Sequence, residues 1–280
     1  MLLAFINKLI KIIMGQSNDT DTIMHLQCEL LSRKGSDKEV NEDSFLVDRY
    51  ANNLDAESVQ SYTLTSDLMH IFAVFDGVSS GGNGKESSEI AAESLKRILD
   101  YNTEGFDDSF IAAVDAAIRD VNLSIYNAFS AQSESKQGTT MAMIIVYRSN
   151  CIVFNVGDSR IYRLTDGSLI QLSYDHTLEN YKRQLGFMKK DPFISKKDGA
   201  TLYQCLGKDV SIDYYKYGPF KYKSGDRFFI CSDGISGFLD RKILLTLLQA
   251  DSGHTLVDLS EAAYQAGSLD DQTSIMISID

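Results

Sequence analysis

The stretch MAMIIVYRSNCIVFNV, residues 141–156, consists of two apolar runs of strand length joined by Arg-Ser-Asn. A short polar turn between two such runs predicts an antiparallel hairpin. A second hairpin is predicted immediately downstream, where Asp166 and Gly167 separate RIYRL (160–164) from SLIQL (168–172). The sheets are therefore expected to be antiparallel. Further strand-like runs lie at 23–31, 44–48, 69–75, 227–231 and 274–279.

Helical periodicity separates these groups of strands. It is clearest at 107–130, where apolar residues recur every three or four positions, and weaker at 85–99, 240–250 and 255–266. Pairs of helices between groups of strands predict antiparallel sheets covered by helices and argue against an alternating parallel α/β fold. The predicted class is α+β.

The composition indicates one globular domain. The chain has 280 residues, of which 44% are hydrophobic, and no linker-like stretch divides it. Its net charge of −12 and pI of about 4.8 argue against nucleic-acid binding through a basic face. The widely spaced cysteines are expected to be buried reduced thiols of a cytoplasmic protein: Cys28, Cys151, Cys205 and Cys231.

The N-terminal stretch MLLAFINKLIKIIM is an amphipathic helix by pattern, and we assign residues 1–22 to this helix and a tether. It is too short to span a bilayer. Residues 2–14 are expected either to contact a membrane surface or a partner, or to pack on their own domain. The globular domain is assigned to residues 23–280.

Carboxylates adjoin many of the predicted strands. Because neighbouring strands pack side by side, these acids are expected to gather at one rim of the sheets. Clustered carboxylates repel one another unless a cation is present, and oxygen-only ligands suit Mg²⁺ or Mn²⁺. The acids are Glu42, Asp43, Asp76, Asp158, Asp233, Asp270 and Asp271.

Eight segments follow one another between residues 24 and 280: KEVNEDSFLVD, FAVFDGVSSGGNG, GTTMAMIIV, NVGDSRIYRL, QLSYDHT, QCLG, GDRFFICSDGISG and DDQTSIMI. In this order they resemble the metal-dependent protein phosphatases of the 2C type, in their compact bacterial form. The resemblance implies a four-layer αββα sandwich of two antiparallel β-sheets flanked by helices. It also implies two Mn²⁺ or Mg²⁺ ions at one end of the sandwich.

The resemblance assigns roles to individual residues. Asp43 and Asp76 are implied as metal ligands, with Asp76 bridging both ions and the Gly77 carbonyl assisting, and Asp233 and Asp270 as ligands of the other ion. The remaining acids are implied in water-mediated contacts or a weaker third metal site: Glu42, Asp158 and Asp271. The implied catalytic residues are Asp76 and Lys38, and Lys38 matches the position that binds the substrate phosphate.

The implied reaction is hydrolysis of phosphoserine or phosphothreonine in a protein that a serine/threonine kinase has phosphorylated. A water held between two ions would attack the phosphorus in line, without a phosphoenzyme. This arrangement reconciles an acidic protein with a dianionic substrate.

Three positions depart from the family pattern. Lys38 stands where the family has arginine, Gly81 where it often has histidine, and Gly237 where it often has an acid, so a third metal is expected to bind weakly. These departures keep open an alternative, a catalytically weak or inactive module that binds phosphoproteins as a regulatory scaffold. The intact Asp43, Asp76, Asp233 and Asp270 favour the enzyme.

Three other features could indicate a function. GNGKES, residues 82–87, fails the phosphate-loop pattern because Glu86 follows Gly-Lys where serine or threonine is required. His176 is predicted to pack or cap rather than to catalyse. The lysine-rich stretch 177–204 matches the family's variable flap, and either a solvated basic face or contacts with acidic phosphopeptides would explain its charge.

Overall fold

The structure is a computed structural model that describes residues 23–52, 58–79, 82–101, 105–129, 137–185, 201–250 and 252–280. The predicted N-terminal helix and tether, residues 1–22, lie outside the described residues. In the described ranges, no helix is long and apolar enough to cross a bilayer.

One six-stranded sheet, sheet A, has the strand order β11-β10-β13-β14-β1-β4, and its neighbouring strands pair antiparallel. The first and last strands of the described chain, β1 and β14, lie side by side at its centre. Its strands are β1 (His25–Arg33), β4 (Gln60–Thr65), β10 (Arg160–Thr165), β11 (Ser168–Gln171), β13 (Arg227–Cys231) and β14 (Gln272–Ile279).

The other six-stranded sheet, sheet B, has the order β12-β9-β8-β5-β2-β3 and is also antiparallel. Its strands are β2 (Ser44–Val47), β3 (Tyr50–Asn52), β5 (His70–Phe75), β8 (Met141–Tyr147), β9 (Asn150–Val156) and β12 (Tyr215–Lys221). Two further short strands, β6 (Gly77–Ser79) and β7 (Gln137–Thr139), form a separate antiparallel pair.

Helices cover the outer faces of both sheets. On sheet B, α1 (Gly84–Leu95) continues into a 3-10 turn (Lys96–Asp100) and packs with α2 (Asp108–Phe129). On sheet A lie α5 (Arg241–Gln249) and α6 (Thr255–Gln265). Two shorter helices complete the described elements: α3 (Leu178–Gln184) and α4 (Asp233–Ser236).

The central core lies between the two sheets, which contribute alternate apolar residues of their inner faces. Phe45, Phe72 and Val153 of sheet B meet Phe228 and Ile277 of sheet A there, all at most 1% exposed. Residues on the outward-facing side of each strand pack against helices instead. Because each sheet buries both faces, its central strands are apolar without alternation. The predicted four-layer αββα fold is confirmed.

Both predicted hairpins are present, with Arg148, Asp166 and Gly167 in the left-handed backbone conformation that tight hairpin turns need. The predicted strands and three of the four long helices occur within one or two residues of their expected bounds, whereas α1 ends at Leu95 and a 3-10 turn continues to Asp100. Sequence reasoning missed β3, β4, β6, β7 and β12. Strands β3, β4 and β12 lie at sheet edges, where solvent replaces one neighbour and no long apolar run is required.

Candidate metal centre

Asp76 lies at the end of β5, where the chain passes directly into β6. The Thr140 hydroxyl accepts a hydrogen bond from the Asp76 amide (2.9 Å), and the Thr140 amide donates one to the Asp76 carbonyl (2.9 Å). Gly77 follows because the backbone passes too close for a side chain: a Cβ there would lie 2.5 Å from the Glu42 carbonyl oxygen. These contacts fix the carboxylate at the rim of sheet B.

Asp43 precedes β2 and is 1% exposed. Its carboxylate accepts a hydrogen bond from the Ser232 hydroxyl (2.8 Å), which in turn accepts one from the Thr273 amide (3.0 Å). Ser232 follows β13 and Thr273 belongs to β14, both in sheet A, whereas β2 belongs to sheet B. The Asp43 carboxylate thus joins the rims of the two sheets.

Two further aspartates reach the rim from the ends of strands in different sheets. Asp158 follows β9, and the adjacent Ser159 shares a hydroxyl hydrogen bond with Thr140 (2.7 Å), which links it to Asp76. Asp233 follows β13 and begins the short helix α4. At Gly234 the Asp271 carbonyl oxygen packs against the backbone, so the loop before β14 lies directly on this turn.

Asp271 holds the loop that carries Glu42. One of its carboxylate oxygens accepts from the Gly35 amide (2.8 Å) and the other from the Glu42 amide (2.8 Å). Lys38 lies on the same loop, and its ammonium pairs with Glu42 (3.0 Å) and Asp270 (3.1 Å). These hydrogen bonds give Asp271 a structural role, and its part in metal binding stays a prediction.

One cavity of about 280 Å³ unites the predicted residues. Asp43 and Asp271 lie buried behind its wall. The rim predicted from the sequence therefore exists, and both sheets contribute to it. The seven predicted residues that line the cavity are Lys38, Glu42, Asp76, Gly77, Asp158, Asp233 and Asp270.

The electrostatics of this cavity favour a cation. Burial raises the pKa of Asp76, and the charges of neighbouring aspartates raise it further. Burial likewise raises the pKa of Asp43, with added repulsion from Asp271, and the pKa of Asp158, with added repulsion from Asp233. Nearby positive charge is too weak to keep these three carboxylates ionised, and a bound cation would favour their ionised form.

Lys38 is the local counter-charge. Burial opposes its ammonium, but the charge of Asp270 and a hydrogen bond to Glu42 outweigh burial and raise its pKa. Lys38 does not balance the charge of the four aspartates that line the cavity, so the donor set fits a hard cation held by oxygen. In the described part of the chain, no three acidic, histidine or cysteine side chains already form a compact ligand group. Side-chain adjustment would accompany metal binding.

Sequence reasoning did not single out Thr140, Ser159 or Ser232, which orient the acids, although all three lie inside the quoted segments. It also missed Lys208, whose ammonium donates to the Tyr203 carbonyl (2.6 Å) and which lines the cavity. An isolated lysine carries no sequence pattern that would reveal this position. Gly81 and residues 186–200 of the predicted flap lie outside the described residues.

His176 packs behind the cavity, as predicted. Its Nδ1 accepts a hydrogen bond from the Gly157 amide (3.1 Å), and its ring meets Tyr174 and Tyr203 edge-on. Burial lowers the pKa of this histidine, which favours the neutral ring that accepts the hydrogen bond. His176 thereby fixes the turn that precedes Asp158.

Comparison with known families agrees with this geometry. A sequence model described as protein phosphatase 2C matches residues 40–264. This range includes Asp43, Asp76, Asp158 and Asp233. The chain belongs to the protein phosphatase 2C family. Of the acids to which the resemblance assigns roles, five line the cavity of this 2C domain, and Asp43 and Asp271 are buried behind it: the five are Glu42, Asp76, Asp158, Asp233 and Asp270.

Named relatives of this 2C chain are bacterial. It is 28% identical over 246 residues to the serine/threonine protein phosphatase PstP of Mycobacterium tuberculosis, a match covering 84% of this chain and 45% of that protein. It is 28% identical over 190 residues to the serine/threonine phosphatase stp of Listeria monocytogenes, covering 66% and 73%. The chain thus spans about half the length of its mycobacterial relative.

Solved structures share the fold of this 2C chain. The serine/threonine phosphatase of S. agalactiae aligns with a TM-score of 0.75 at 22% identity, covering 91% of this chain and 100% of that one. The PstP catalytic domain in complex with two manganese ions aligns with a TM-score of 0.68 at 24% identity, covering 92% and 99%. At these identities the similarity establishes the fold alone.

Proposed function

We propose that this protein is a metal-dependent phosphatase that hydrolyses phosphoserine and phosphothreonine in proteins. The observation that carries the proposal is the convergence of four aspartates and two lysines around a single cavity in a 2C fold, with Asp43 and Asp271 buried behind its wall. Buried carboxylates that raise one another's pKa need a cation, and a dianionic phosphate needs the same positive charge.

The ligand roles proposed for the acids are those that the family resemblance implies. Asp43 and Asp76 would hold one ion, with the Gly77 carbonyl assisting, and Asp76 would also contact a second ion held with Asp233 and Asp270. Glu42 and Asp158, which also line the cavity, would act through water or at a weaker third ion. The ions proposed are Mn²⁺ or Mg²⁺, because the donors are all oxygen.

When bound, the two ions would supply a nucleophilic water at neutral pH and positive charge for the phosphoryl oxygens. The protein's own residues orient and hold the reacting groups. The Ser232 and Thr140 hydrogen bonds fix Asp43 and Asp76, so that little reorganisation is needed when charge develops. Lys38 lies at the cavity wall, where its ammonium can pair with a substrate phosphate.

Lysine contributes a point charge rather than the bidentate fork of an arginine, so phosphate orientation at Lys38 is expected to be looser. Lys208, which is far from Lys38 in the sequence, adds a second ammonium to the same cavity. The substrate is proposed to be a protein phosphorylated by a serine/threonine kinase.

Phosphate release from a phosphothreonine peptide tests the proposal. With Mn²⁺ the protein should release phosphate, EDTA should abolish release, and Asp76→Asn should lower kcat about a thousandfold or more, because a neutral amide cannot replace a ligand carboxylate. The matched control is Asp67→Asn, an exposed turn residue away from the cavity, which should retain the wild-type rate.

The alternative of a noncatalytic scaffold makes the opposite prediction. A folded protein that binds Mn²⁺ and the phosphopeptide but releases no phosphate, with Asp76→Asn indistinguishable from wild type, would refute the phosphatase proposal. Circular dichroism of both variants would establish that loss of activity is not loss of fold.

A further inference from the structure

A second cavity, of about 210 Å³, lies beside the proposed catalytic cavity. Asp270 lines both, so the two spaces adjoin at this residue. The second cavity, here called the side cavity, lies between the end of β1, the loop that follows it and helix α6. Its other lining residues include Arg33, Lys34, Glu261 and Tyr264.

The wall between the two cavities is built tightly. At Gly35 the Leu269 carbonyl oxygen leaves no room for a Cβ, and the Gly35 amide donates to Asp271 (2.8 Å). The Lys34 ammonium donates to the Lys38 carbonyl (3.0 Å). The loop that borders the side cavity is therefore the one that carries Lys38 into the catalytic cavity.

Arg33 is the notable charge of the side cavity. Its Nη1 donates to the hydroxyl of Ser260 (3.2 Å), which is 2% exposed and donates onward to the Gln272 side-chain oxygen (2.5 Å). Among the described residues, no carboxylate lies within 4.0 Å of the Arg33 guanidinium. A half-buried guanidinium that is held by neutral groups keeps its charge available to an anion.

Two carboxylates limit how anionic an occupant can be. Asp270 is paired with Lys38, whereas Glu261 is exposed at the border of the side cavity. Tyr264, which is 60% exposed, offers an apolar ring beside them. The surroundings suit one carboxylate on a short apolar stem, approaching Arg33 and avoiding Glu261.

We infer that the side cavity binds an acidic side chain of the substrate protein, near the phosphorylated residue. The inference rests on the proposed function, because it places the phosphate in the adjoining catalytic cavity. An extended peptide advances about 3.3–3.6 Å per residue. Since both cavities contain Asp270, the acidic residue lies within about three positions of the phosphoresidue.

A set of phosphothreonine peptides tests this subsite. One glutamate is moved through three positions on each side of the phosphothreonine, and each peptide is compared with its glutamine counterpart by kcat/KM. At one or two positions the wild-type protein should prefer glutamate about three- to tenfold, as expected for a partly shielded ion pair.

Variants distinguish recognition from a structural role. Arg33→Gln should reduce the glutamate-to-glutamine ratio to about one, Arg33→Lys should retain part of it, and Glu261→Gln should increase it. A ratio that stays unchanged in Arg33→Gln, or the lack of a preferred position in wild type, would overturn the subsite. A merely structural Arg33 would lower both rates and leave the ratio intact.

Binding separates this inference from the proposed function. The same labelled peptides are titrated by fluorescence anisotropy against Asp76→Asn and against Asp76→Asn with Arg33→Gln, both with Mn²⁺. If wild type hydrolyses no peptide, the phosphatase proposal fails while the glutamate-to-glutamine binding ratio still decides the subsite. Equal affinities for both peptides in the Asp76→Asn protein would reject it.

Discussion

Two aspartates near opposite ends of the sandwich, Asp226 and Asp76, differ in what surrounds them. Asp226 precedes β13, is 1% exposed and pairs with Arg163, whose Nε lies 3.0 Å from its carboxylate. In the described part of the chain, Asp76 has no basic side chain within 4.0 Å, and each of the main influences on its pKa raises it.

The difference separates structural from functional charge. The protein neutralises Asp226 with its own guanidinium, and Asp175 with Arg160 (2.7 Å) in the same way. At the Asp76 end the protein gathers like charges instead. Repulsion among these carboxylates lowers the stability of the metal-free protein. Binding of a cation restores that stability.

The largest stability effect is expected at Asp226, where the protein itself supplies the counter-charge of a buried carboxylate. Asp226→Ala should lower the free energy of unfolding by about 3–5 kcal/mol, because it leaves the largely buried Arg163 without its counter-charge. Urea denaturation measures this. The matched control is Asp100→Ala, which removes an exposed pair with Arg49 and should cost less than about 1 kcal/mol. Equal losses of unfolding free energy in the two variants would contradict the expected difference between the buried and the exposed ion pair.

At the catalytic cavity, removal of an aspartate charge is expected to raise the stability of the metal-free protein. Without metal at pH 7, Asp76→Asn should raise Tm by about 2–4 °C, because it removes one of several repelling charges. Saturating Mn²⁺ should reverse the order: at 100 times its Kd it stabilises wild type by about 2.7 kcal/mol and the variant by less. Scanning calorimetry of both proteins with EDTA and with Mn²⁺ measures this.

The difference in stability between Asp76→Asn and wild type should depend on pH, because the pKa of Asp76 is raised. A carboxylate whose folded-state pKa is raised binds its proton more tightly in the folded protein, so its ionisation destabilises the fold as pH rises. The advantage of metal-free Asp76→Asn over wild type should therefore be fully present at pH values above the raised pKa of Asp76. It should shrink as pH falls through the raised pKa of Asp76. An advantage that grows on acidification would contradict the repulsion.

The smallest effect is expected at Lys38. Its ammonium pairs with Glu42 and Asp270, and it also lines the cavity where the substrate phosphate is proposed to bind. Lys38→Arg should lower KM for a phosphopeptide a few-fold, since an arginine can bind phosphate through two donors. Steady-state kinetics test it, with the exposed Lys216→Arg as control. A KM that stays the same or rises would argue against phosphate binding by this position.

Much of the fold follows from local sequence. The hairpin of residues 141–156 needs only two apolar runs and a turn, and α2 needs only its apolar stripe. Strands β4 and β12 escape this reasoning because each lies at a sheet edge. Strand β4, QSYTLT, is half-exposed throughout, and β12 contains Gly218 and Pro219, so their strand conformation depends on the neighbour they pair with.

The sequence by itself determined which acids adjoin buried strands, because a strand's apolar run and the polar residues beside it are consecutive in the chain. Tertiary structure alone decided their partners. The Ser232 hydroxyl meets Asp43 across 189 positions, and the Gly35 amide meets Asp271 across 236. Such contacts depend on strand order and register in two packed sheets. These are set by the burial of the whole core, and no local pattern encodes them.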